Sequence, residues 1–173
     1  MELKPQDTLL ALKYWSLNRD GDTASVRDIA EALGISPSEV SKATKRLKAS
    51  HLVVQRSAGL FVDANALLEW LCYGLRYAYP QEVVGYGRGM PTSWNCPLLN
   101  SDLSPPAPAQ VWPVSGGSVE GAWVRPIHNA VPIATSKNDR LYKALALVEA
   151  IRGGKPRELA IAREMLTQLI KGN

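Results

Sequence analysis

The chain has 173 residues, enough for one sizeable core or two small ones, and a globular composition in which five Trp and six Tyr stand against a single Phe. Its net charge of +4 is mild, and no apolar run reaches the length of a membrane span. Met1-Glu2-Leu3-Lys4-Pro5 brings charge and proline where a secretory leader needs an apolar stretch, so the expectation is a cytoplasmic protein. The first predicted element is a helix over 7–17, with Leu9, Leu10, Leu12, Trp15 and Leu17 available for burial. The polar run Asn18-Arg19-Asp20-Gly21-Asp22 ends it.

A second helix starts at a Ser25 cap and carries Val26, Ile29, Ala30 and Leu33 inward. Gly34 follows, where the backbone can take positive φ at little cost and turn sharply. The third helix opens on Ser36-Pro37-Ser38-Glu39, which supplies an N-cap serine, a proline at the first helical position and a capping-box glutamate. Winding it at about 100° per residue puts Val40, Ala43, Thr44 and Leu47 on one side. Ser38, Ser41, Lys42, Lys45 and Ala49 fall on the other. The apolar side can pack on the second helix, since Ala30 and Ala43 are small enough for close approach. The polar side offers short hydroxyls and long cations, the chemistry that suits phosphates and base edges in a major groove.

A basic helical face alone is more often a solvated surface than a reader of DNA. Here it coincides with a helix-turn-helix spacing, a doubly signalled helix start and a following hairpin, and the combination favours DNA. The hairpin comprises 52–56 and 60–62, separated by Ser57-Ala58-Gly59, with Gly59 suited to a left-handed turn position. It is the expected wing, and Arg56 near its tip its expected phosphate or minor-groove contact. Residues 36–56 hold Lys42, Lys45, Arg46, Lys48 and Arg56 against Glu39 alone, which equals the net charge of the whole chain. An electrostatic footprint confined to one surface is what a nucleic-acid reader needs.

Asp63 or Asn65 can cap a further helix that carries Leu67, Leu68, Trp70, Leu71, Leu75 and Tyr77 and stops at Pro80. It is apolar around much of its circumference and needs cover on more than one side. From 81 to 136 Pro, Gly and Ser are frequent, and Ser104-Pro105-Pro106-Ala107-Pro108 reads as a linker or exposed loop. Trp94, Trp112 and Trp123 argue against simple disorder. The expectation is an irregular tract draped over the preceding helix, with 111–114 and 122–125 forming a hairpin. Two closing helices come next: one over 139–152 with Leu141, Leu145, Val148 and Ile151, and one after Gly153-Gly154-Lys155-Pro156 with Leu159, Ala162, Leu166, Leu169 and Ile170. Their spacing implies an antiparallel helical hairpin.

No catalytic, metal or cofactor site assembles. His51 and His128 show no ligand spacing with Cys72 or Cys96. Cys72 sits in an apolar helical pattern and reads as a small buried hydrophobe. Gly85-Tyr86-Gly87-Arg88-Gly89 runs into Met90-Pro91, where a phosphate-binding helix would have to begin.

The fold class is therefore mainly α with a small β-hairpin wing: a winged helix-turn-helix over 1–80, then a packing, dimerisation or partner-binding region over 81–173. With these residues in view, the N-terminal half resembles the winged helix-turn-helix transcription regulators of bacteria, broadly MarR-like. The resemblance implies a homodimer that places two recognition helices on half-sites about one helical turn apart. The stretches 67–79, Arg88-Gly89-Met90-Pro91-Thr92 and 141–163 resemble a narrower group of bacterial winged-helix proteins found beside nucleotidyltransferase-type toxin genes. That resemblance implies an antitoxin-like autoregulator that neutralises a partner protein. The reading is a sequence-specific binder of double-stranded DNA, a repressor and not an enzyme; the alternative is an antitoxin-like interaction module that neutralises a partner protein, with DNA binding secondary. Ser36, Ser38, Ser41, Lys42 and Lys45 form its reading face, and Arg46, Lys48 and Arg56 hold phosphates.

Overall fold

The computed structural model describes residues 1–172. Helix α1 spans Pro5–Asp20, α2 Val26–Leu33 and α3 Pro37–Ala49. Each boundary has a local cause. Pro5 opens α1, and Gly21 closes it in the left-handed conformation at φ 67°. The Ser25 hydroxyl accepts from the Asp28 N–H at 3.1 Å, and Gly34 turns the chain out of α2 at φ 68°. Ser36 accepts from the Glu39 N–H at 3.1 Å, as a cap should. The expected reciprocal bond is absent, because the Glu39 carboxylate accepts from Gln6 of α1 at 2.8 Å instead.

The wing is an antiparallel pair, β1 Val53–Arg56 and β2 Gly59–Val62, joined through Ser57-Ala58 in the register Val53↔Val62 to Arg56↔Gly59. Asn18 of α1 grips it from below: its Nδ2 donates to the Leu60 carbonyl at 3.0 Å, and its Oδ1 accepts from the Val62 N–H at 2.9 Å. Asp63 then caps α4, Ala64–Glu69. A π-helical turn, Trp70–Gly74, separates α4 from α5, Leu75–Ala78.

The tract read as irregular is more ordered than its composition suggests. It holds β3 Val83–Pro91, β4 Gln110–Pro113 and β5 Val119–Val124, each paired with both of the others. The expected hairpin of 111–114 with 122–125 is corrected: β4 and β5 run parallel, Gln110↔Ala122 and Val111↔Trp123, and both are antiparallel to β3. The reason lies at a chain crossing. Gly89 pairs with Pro113 on one edge and Val119 on the other, while the 114–118 connection passes over it. A Cβ on Gly89 would lie 2.1 Å from the Trp112 carbonyl oxygen, and one on Gly117 would lie 2.4 Å from the Gly89 backbone. Three glycines in nine residues depress the strand signal of β3, yet close backbone approach is what this crossing needs. Gly89→Ala is expected to part β3 from β4, which amide exchange at Met90 and Trp112 would register as lost protection.

The expectation that this tract drapes over the helix before it is also corrected. Its seat is α7, Asp139–Gly153, whose Tyr142 hydroxyl donates to the Pro91 carbonyl and whose ring stands 6.1 Å from that of Trp112. Trp112 is fully buried and Trp94 nearly so, so tryptophans do anchor the tract. A short α6, Val131–Ser136, leads into α7, and α8, Pro156–Lys171, closes the helical hairpin. One buried cluster runs through Leu9, Leu12, Leu47, Leu71, Leu145 and Leu166, so α1 packs on both the winged-helix elements and α7. The Trp15 indole donates to the Ile170 carbonyl at 3.1 Å, tying α1 to the end of α8. Among the described residues no helix is long and apolar enough to cross a membrane.

Candidate nucleic-acid interface

Helix α3 lies with Val40, Ala43 and Leu47 fully buried and with Ser38, Ser41, Lys42, Lys45 and Lys48 exposed. Its orientation is held by three polar links to α1. The first is Gln6 to Glu39. The second joins the Tyr14 and Thr44 hydroxyls at 2.8 Å, with Thr44 itself donating to the Val40 carbonyl. The third is the strongest. Arg46 donates from Nε to Asp7 Oδ2 at 2.7 Å and from a terminal nitrogen to Asp7 Oδ1 at 2.8 Å. Asp7 is 1% exposed and Arg46 9%, so this is a bidentate pair inside the protein. Its hydrogen bonds to Asp7 push the Arg46 pKa up against the opposing effect of burial.

Arg46 is therefore corrected. Read as a phosphate contact, it is turned inward and fully engaged, and it does not join the exposed cations. Winding alone does not mark it: Arg46 falls about 120° from Val40, no nearer the apolar stripe than the exposed Ser41 and Lys48, and its inward turn is set by Asp7. Asp7, three residues into α1, carried no sequence mark of its role beyond a helix-start acid. It also accepts from the Lys4 N–H at 2.8 Å, so one carboxylate both caps α1 and orients α3.

The remaining candidates fall together. Ser36 is exposed, with its hydroxyl engaged by the Glu39 N–H. Ser38, Ser41, Lys42 and Lys45 share the outer arc of α3. Lys42 approaches Glu39 at 3.8 Å, a solvated contact worth little. The hydrogen bond from Gln6, and secondarily nearby Lys42, hold the Glu39 carboxyl below its ordinary range. Lys48 reaches Gln55 of the wing at 3.3 Å, and the Arg56 guanidinium lies 5.1 Å over the Phe61 ring near the tip. Helix and wing thus present one cationic surface, with Glu39 at its border already engaged by Gln6.

Residues 15–59 match the family model of the MarR family. The N-terminal unit is a MarR-like winged helix. The matched span covers the end of α1, the helix-turn-helix and most of the wing, the elements that carry the cationic surface. The MarR-like unit is a DNA-binding transcription-regulator module, which agrees with the chemistry exposed on α3. No curated protein and no solved structure matches the chain.

Away from this surface the two thiols are enclosed and His128 is half-buried. Cys72 and Cys96 are buried, and burial pushes both thiols up, away from the reactive thiolate. Burial lowers the pKa of His128, whose Nδ1 accepts from the Ala130 N–H at 3.0 Å. Among the described residues no three His, Cys, Asp or Glu side chains gather where a metal ion could sit.

Proposed function

We propose that this protein is a dimeric repressor that reads double-stranded DNA with α3 and the β1–β2 wing. The observation that carries the reading is the division of α3: every buried position is apolar or internally bonded, and every exposed cation lies on one arc with short hydroxyls between. Ser38, Ser41, Lys42 and Lys45 enter the major groove, while Lys48 and Arg56 hold phosphates on either side. Residues 1–80 perform the reading, and 81–173 serve packing, dimerisation or partner binding. It acts in the cytoplasm and needs no cofactor or catalytic step.

Binding should be strongest to the intergenic duplex upstream of its own gene, weaker to random duplex and weakest to single-stranded RNA. A gel-shift series on the three makes the comparison. Lys42→Ala and Lys45→Ala are each expected to weaken binding and to reduce the slope of log affinity against log salt by about 0.9, because each ammonium brought into the groove neutralises about one phosphate charge whatever base edge it also touches. Unchanged duplex affinity in both variants would remove α3 as the reading helix. Failure of the unaltered chain to bind any nucleic acid would favour an antitoxin-like interaction module instead.

A further inference from the structure

The segment between Asp63 and Pro80 has an outward face that the core leaves uncovered. Within it the π-helical turn inserts an extra residue and rotates the helix beyond it, a device frequent at functional positions. Trp70 folds back over Gly74, where a Cβ would stand 2.7 Å from the indole. Its Nε1 donates to the Thr8 hydroxyl at 3.0 Å, and its ring meets Tyr79 edge-on. With Trp70 drawn inward, Tyr73 and Tyr77 point out, 63% and 74% exposed. Each carries an arginine. Arg163 of α8 stands 4.5 Å over the Tyr73 ring and donates to the Cys72 carbonyl at 2.9 Å, while Arg76 stands 5.6 Å over the Tyr77 ring. Stacked tyrosines and arginines held in place beforehand are the anchors of protein interfaces. Beside Tyr73 an open groove of 440 Å³ is lined by Leu3, Leu52, Ala66 and Trp70.

Charge identifies what fits there. Asp63 and Glu69 lie in the first half of the segment and Arg76 in the second, with Arg163 added beside Tyr73. Two such segments laid antiparallel about a twofold axis set the acidic half of each against the basic half of the other, with Tyr73 near the axis. A second copy of this chain has the matching polarity by symmetry. We propose that the α4–α5 face is a homodimer interface in which Tyr77 enters the groove of the other copy and Glu69 meets its Arg76. This deepens the dimeric reading above and takes nothing from the DNA-binding face.

Sedimentation of the full chain over a concentration series tests it. The chain should dimerise, and Glu69→Arg or Arg76→Glu should each raise the dimer dissociation constant at least about tenfold, because like charges then face each other. The double variant should recover most of the loss, which a merely structural role of either residue would not allow. Tyr73→Cys should cross-link to itself under mild oxidation, while Tyr86→Cys on exposed β3 should not. A dimer indifferent to both reversals, or one that cross-links through position 86 and not 73, overturns this interface and leaves the dimeric reading standing. A chain that stays monomeric throughout overturns both, and neither result alters the meaning of the Lys42 and Lys45 variants.

Discussion

Arg46→Met is expected to lower folding stability by about 3–5 kcal/mol, the usual result of removing one partner from a buried ion pair. The cost arises because Asp7 is then left buried with its charge unanswered, apart from the Lys4 N–H that it accepts. Asp7→Ala should cost a similar amount for the converse reason. Urea denaturation gives both values, and the double variant Asp7→Leu with Arg46→Met should regain most of the loss, since an apolar pair of similar volume can replace a buried salt bridge. The decisive measurement is the salt dependence of DNA binding under conditions where the variants remain folded. If Arg46 only orients α3, the slope stays at its original value while the affinity falls. Lys42→Ala should do the opposite, reducing the slope while leaving stability almost unchanged. A reduced slope in Arg46→Met at unaltered stability would return Arg46 to the DNA surface.

Arg46 also marks where the sequence becomes hard to read. The winged helix was legible almost residue by residue because its signals are local: Ser25 and Ser36 at caps, Pro37 at a first helical turn, Gly34 in a left-handed position, and apolar spacing in α2 and α3. The closing hairpin of α7 and α8 was legible for the same reason. The pairing of Asp7 with Arg46 spans 39 residues, and nothing in either neighbourhood announces the other. The sheet of β3, β4 and β5 was hidden differently. Its longest strand contains Gly85, Gly87 and Gly89, whose low strand propensity was outweighed by the need for backbone and Trp123 to pass close by. The π-helical turn was invisible because Leu67, Leu71 and Leu75 keep ordinary helical spacing through it. Of the candidate site, the exposure of Ser38, Ser41, Lys42 and Lys45 was readable from winding alone, and the inward turn of Arg46 was not.

The second large effect is expected at the junction of the two halves. Arg152, near the end of α7, donates to the carbonyls of Tyr79 at 2.8 Å, Pro80 at 3.2 Å and Arg125 at 3.4 Å, and to the Glu149 carboxylate at 2.5 Å. Gln81 adds bonds to the Glu149 carbonyl at 3.1 Å and carboxylate at 3.2 Å. One guanidinium thus joins α7, the link after α5 and the end of β5. Arg152→Leu leaves a buried carboxylate with Gln81 as its remaining donor and three carbonyls without the guanidinium, and should cost about 3–5 kcal/mol at neutral pH. The loss should depend on pH in a defined direction. Burial already pushes the Glu149 carboxyl above its ordinary range, against the pull of Arg152 and Gln81, and removing Arg152 pushes it further. A carboxyl whose pKa is higher in the folded state favours folding below its unfolded value, and that contribution is lost as pH rises through the folded one. The deficit of Arg152→Leu should therefore be smallest near pH 4 and grow toward neutrality, as urea midpoints across that range would record. Adding Glu149→Leu should remove the pH dependence and recover most of the stability, because no buried charge then remains. A deficit that stays constant with pH in Arg152→Leu would mean that the lost carbonyl bonds, and not the stranded carboxylate, hold this junction together.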